Sequence, residues 1–293
     1  VFIKDVAGMV ELNNREFTVA GATTNTFQLS GIDGSAFTAY SSGGTSGKIV
    51  EVTTTYTEAQ VFELNHVQSA DVLYLAHKDH EPAKLTRTTA TSFTLTDIDF
   101  VDGPWLDENT TDTTMYFSAE TGTVTVTASA DVFSSDDVGR FIRTREILEI
   151  VHDEWAANTS YADNATVRFN GHVYKNVTGS TQTSGNTAPV HLSGTETYGN
   201  IDWEYRHDEF GHVRITAFTS ATVVTAVAHE DQYGNSIIPD SSVGSANANT
   251  RWSLGAFGGD QGYPRAVAFY EERLYFAGTT GQPQTIFGSQ TAD

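Results

Sequence analysis

The chain has 293 residues, 39% hydrophobic and 11% aromatic, enough for two or three packed β domains and too apolar for a disordered segment. Its 37 acidic residues against 16 basic ones give a formal net charge of −21, which argues against non-specific nucleic-acid binding because no basic stripe is available to neutralise phosphates. Cysteine is absent, so disulfides and thiolate metal sites are excluded, and no apolar run approaches the roughly 20 residues of a membrane helix, so no membrane insertion is expected.

In chain order, Val1-Phe2-Ile3-Lys4-Asp5 reads as a strand already under way, with an N-terminal stretch expected before it. Residues 1–50 are expected to form a small β module, with turns at Asp33-Gly34 and Gly43-Gly44. Tyr56 to Leu64 hints at a short helix capped by Thr57. Residues 51–104 then read as strand, turn, strand. Within them His77-Lys78-Asp79-His80-Glu81 packs four potential ligands into a turn and is expected to be a solvated loop. The acidic run from Asp107 to Asp112 lacks calcium-loop spacing. Thr123-Val124-Thr125-Val126-Thr127 and Val223-Val224-Thr225-Ala226-Val227 alternate as half-buried strands do, and Ser134 to Val138 is expected to be a single turn.

Two segments echo one another. Leu73-Tyr74-Leu75-Ala76 is followed by Pro82 and Leu85, and Leu274-Tyr275-Phe276-Ala277 by Pro283 and Ile286. Repeated hairpins of this kind predict blades of a β-propeller, in which each unit buries its face against a neighbour. The expected fold is therefore all-β and multidomain, with partial propeller blades carrying inserted small β domains. Residues 51–104 form the first blade region and 255–293 the start of a second. Residues 105–152 and 206–254 form one β domain split in sequence by an insert at 153–205.

No catalytic machinery is visible. His207-Asp208-Glu209-Phe210-Gly211-His212 comes near the zinc-protease pattern, but its histidines are five apart and Gly211 opposes a helix. No acid/base pair, phosphate loop or nucleophile elbow appears, so the chain is read as not an enzyme, with no cofactor and no metal.

Several stretches carry a family resemblance. Gly8-Met9-Val10-Glu11-Leu12, with Thr26-Phe27-Gln28-Leu29 and Tyr40-Ser41-Ser42-Gly43-Gly44, resembles a small β module of phage structural proteins. Gln68 to Tyr74 into Pro82 to Arg87, Phe100 to Trp105, Phe133 to Arg140, and Gly262 to Phe269 into Glu272 to Thr279 resemble the tail nozzle (tail tubular B-like) proteins of short-tailed bacteriophages. The resemblance implies a structural virion protein at the tail tip, assembled in the host cytoplasm as a ring of copies around a DNA exit channel. Its partners would be its own copies and other tail proteins (adaptor, fibres). Genomic DNA would pass through without specific binding.

The insert resembles small chitin- or cellulose-binding modules through Trp155, Tyr161, Val167, Gly171, Tyr174, Pro189, Trp203 and Tyr205, although Asn164 stands where that family has Gly. Trp203, Tyr205 and Tyr161 are the candidate carbohydrate-binding residues, because flat rings stack on sugar faces. The same rings equally suit the core of a small β module. A carbohydrate-binding adhesin gripping a host-surface glycan is accordingly the alternative function. A glycan-degrading tailspike is disfavoured because no short solenoid repeats occur.

Overall fold

Strands form where the sequence alternates at period two. In Thr123–Ala128 the side chains of Val124, Val126 and Ala128 are buried while Thr123 and Thr125 face solvent. The computed structural model describes residues 1–290, so the last three positions of the expected 255–293 region lie outside the described residues. The architecture is all-β, with several separate sheets. Among the described residues, α-helix is confined to two single turns, Glu58–Val61 and Leu148–Val151. The turn expected after Ser134 is a 3₁₀ helix, Ser135–Asp137, closed by a capping box in which Ser134 and Asp137 exchange hydrogen bonds.

The chain divides into two compact units. The first comprises Val1–Ala59, Gln68–Leu73 and Lys84–Thr96; the second comprises Gln60–Val67, Tyr74–Ala83 and the remainder from Asp97. In the first, Phe2–Ala7 lies between Arg15–Glu16 and Ser42–Gly47, over a small core of Ile3, Val6 and Phe17. Gly8 is obligatory there: its φ is +88°, and a Cβ would sit 2.1 Å from the Ala39 carbonyl oxygen.

The second unit is organised by a six-stranded sheet. Its strands, in spatial order, are Met115–Phe117, Thr123–Ala128, Val223–His229, Phe210–Ser220, Phe141–Arg145 and Trp252–Leu254. Thr125 pairs with Thr225 and Arg143 with His212, so strands from before and after the insert build one sheet. Its core gathers Met115, Phe117, Val124, Val126, Ile142, Val213, Ile215 and Ile238. The chain leaves the sheet at Arg145 and rejoins it at Phe210, which are register partners, so entry to and exit from the insert are adjacent.

The insert is a five-stranded sheet ordered Asp153–Glu154, Thr166–Phe169, His172–Asn176, Ile201–His207 and Thr195–Tyr198. The hairpin between the second and third strands turns through Asn170-Gly171, at φ +54° and +79°, as the residue types require. The two echoed hairpins belong to consecutive-strand meanders, one over Asn65–Asp97 and one over Ala266–Gly288. Tyr74, Ala76, Ile98 and Phe100 share one hydrophobic cluster with Val267, Leu274, Phe276 and Phe287.

Candidate functional site

In the strand Ile201–His207 the residues Ile201, Trp203, Tyr205 and His207 point inward, and Asp202, Glu204 and Arg206 alternate with them. Trp203 is 0% exposed and Tyr205 1%, both in the insert's aromatic core with Val167 and Tyr174. Tyr161 packs edge-on against Trp203 at 5.4 Å, and its hydroxyl accepts a hydrogen bond from the Ala156 amide at 2.7 Å. Burial in this apolar setting pushes the Tyr205 phenol far up and that of Tyr174 up to about 12. The expectation that Trp203 and Tyr205 offer ring faces to a sugar is corrected on this point: both faces are already covered by protein. Tyr161 is half-buried as a brace on Trp203, so the three do not form a stacking platform.

The turn at His77–Glu81 also differs from expectation. His77 is 2% exposed, lies 3.4 Å from Glu63 through Nε2, and accepts a bond from the Asp79 amide through Nδ1. Glu81 meets Arg214 at 2.6 Å. Only part of this segment is a solvated loop.

What the sequence reading missed is a buried polar cluster at the neck of the insert. Glu146 follows the strand Phe141–Arg145, His152 immediately precedes Asp153–Glu154, and His207 ends Ile201–His207. Their exposures are 0%, 5% and 4%. His152 Nε2 lies 2.7 Å and His207 Nε2 3.6 Å from the same carboxylate oxygen, Glu146 Oε2. The other ring nitrogens are also engaged: His152 Nδ1 is 2.9 Å from Thr166 Oγ1, and His207 Nδ1 accepts from the Glu209 amide at 3.3 Å. Burial alone raises the Glu146 pKa, but the hydrogen bond from His152, with His207 and Ser241 nearby, outweighs it and holds the carboxyl below its ordinary range. No local motif announces this cluster, because its members come together only through strand pairing.

His212 goes elsewhere. It stacks on Trp105 at 5.2 Å between ring centroids, beside Arg143, whose guanidinium lies 4.9 Å over Trp105 and 4.5 Å over Phe210. Burial lowers the His212 pKa to about 4, below an ordinary value of 6.5. The folded state therefore holds it neutral, and unfolding lets it bind a proton. Its stabilisation is complete above pH 6.5 and is lost as pH falls from 6.5 toward 4, on the order of 1–3 kcal/mol. We expect His212→Gln to flatten the dependence of melting temperature on pH in that window; an unchanged slope would remove His212 as its source.

The fold and its sites thus define a multidomain all-β protein with aromatic and polar cores. A family model described as phage tail tube protein, TTP, matches residues 7–108. A comparison with curated proteins found no match. The matched description is that of a structural component of a phage tail.

Proposed function

We propose that this chain is a structural protein of a bacteriophage tail, working as a tail-tip ring of nozzle or tail-tube type through which the genome leaves. The observation that carries this is the match of residues 7–108 to the tail tube protein family. The propeller reading gains support from the internal echo. Tyr74 and Ala76 of the first hairpin pack into the shared cluster, whereas the equivalent Tyr275 and Ala277 lie on the opposite face of the second meander. That face, with Ala268, Tyr270 and Ile286, is apolar and open, and Ile286 is 69% exposed. A third sheet packed there would continue the array of blades.

The charge of −21 fits passage without capture, because acidic walls repel duplex DNA over about 8–10 Å at physiological salt. Copies of this chain would form the ring, with other tail proteins above and below it, in the virion tail. Negative-stain imaging of the purified chain, and of particles containing it, is expected to show rings with an axial channel. A chain that stays monomeric at high concentration and is missing from the tail would overturn the proposal. A channel lined mainly by Lys and Arg would remove the role assigned to charge. No observation favours the adhesin reading once Trp203 and Tyr205 are seen to be buried.

A further inference from the structure

We propose that Glu146, His152 and His207 bind one divalent transition-metal ion, Zn²⁺ by the chemistry of the donors, which fastens the insert to the six-stranded sheet. Two imidazole nitrogens and a carboxylate oxygen form a donor set well suited to zinc. One ligand atom from each residue lies within 4.8 Å of the other two. Bonds of about 2.0–2.1 Å in tetrahedral geometry separate ligand atoms by roughly 3.3 Å. The separations of 2.7 and 3.6 Å from Glu146 Oε2 bracket that spacing, so small side-chain shifts admit the ion.

Two further observations point to a ligand. Glu146 Oε1 and Ser241 Oγ are both buried and neither makes a hydrogen bond of good geometry; the Ser241 hydroxyl lies near the carboxylate and supplies at most a weak one. Buried polar oxygens are rarely left in this state. A metal-bound water, or Glu146 binding through both oxygens, would satisfy them. The placement also has a mechanical sense. Glu146 and His152 stand on the chain entering the insert and His207 on the chain leaving it, so one ion would tie both connections together.

In the metal-free form the His152 Nε2–H can donate to Glu146 Oε2 at 2.7 Å, while His207 Nε2, at 3.6 Å, lies beyond hydrogen-bond range. Ligation through Nε2 requires each ring to carry its proton on Nδ1. His152 Nδ1–H then donates to Thr166 Oγ1, 2.9 Å away. His207 Nδ1 gives up the long 3.3 Å contact it now accepts from the Glu209 amide.

The test is to strip the chain with a chelator and titrate it with Zn²⁺ and Co²⁺. We expect one ion per chain, a melting temperature raised by on the order of 5 °C, and a visible Co²⁺ spectrum of four- or five-coordinate nitrogen and oxygen ligation. Glu146→Gln and His207→Gln should each weaken binding about 100-fold or more, while His66→Gln, remote from the cluster in sequence and exposed, should not. Absence of a saturable site in the native chain, or native affinity retained in both cluster variants, would overturn the proposal. If the variants fail to fold, the Co²⁺ spectrum of the native chain decides: an octahedral, aquo-like spectrum assigns the ion to the surface and rejects the site. Ring assembly does not enter these readouts, so failure here leaves the proposed function standing.

Discussion

Replacing Trp203 by alanine is expected to lower stability by about 3–5 kcal/mol, the cost of deleting a fully buried aromatic that the surroundings cannot refill. Trp203 is 0% exposed, and its ring is braced by Tyr161 at 5.4 Å within a cluster that includes Val167, Tyr174, Ile201 and Tyr205. Its indole Nε1 makes no hydrogen bond in that core, so the loss is one of packing alone. Trp203→Phe, which keeps an aromatic ring and removes the unpaired donor, should cost clearly less. Denaturant melts of the full chain would measure both. A Trp203→Ala variant with an unchanged melt, but lost polysaccharide binding, would restore the sugar-platform reading.

The second large effect is expected at Arg140. Its guanidinium is buried, 2.7 Å from Asp137 and 3.2 Å from Asp260, and Nε donates to the Gly255 carbonyl at 2.9 Å. Arg140→Met strands the buried Asp137 carboxylate and leaves the Gly255 oxygen without this donor, at a cost of about 3–5 kcal/mol. Asp137 also accepts from the Ser134 amide at 2.7 Å and so closes the capping box. The double change Arg140→Met with Asp137→Asn should therefore cost less than the sum of the two single changes, because it removes the uncompensated charge and keeps an acceptor for the cap. Strict additivity in denaturant melts would show that the pair does not act as a unit. The neighbourhood leaves little room for rearrangement: a Cβ on Gly259 would lie 2.1 Å from Asp137 Oδ1.

Much of the local structure was legible from residue order. The alternation from Thr123 to Thr127 specified a half-buried strand, Asn170-Gly171 a turn, and Ser134 to Val138 a single turn, whose capping box only the structure shows. These signals act over a few residues, where backbone sterics and side-chain period decide the outcome. The burial of Trp203 was partly legible as well. The strand Ile201–His207 alternates apolar residues with Asp202, Glu204 and Arg206, and a strand with one charged face keeps the other for the core. Reading the aromatics by their spacing alone, without the charged residues between them, left the glycan platform open.

Other features depended on tertiary structure. Glu146 and His207 are far apart in sequence, and they meet because Arg145 pairs with Phe210 across the neck of the insert. His207 and His212, close in sequence, part company: one faces Glu146 and the other stacks on Trp105. Periodicity states which side chains share a face of a strand. Which strand lies beside which, and hence which buried charges find partners, is settled by packing over the whole unit, where an unpaired carboxylate or imidazole costs more than local preference can offset.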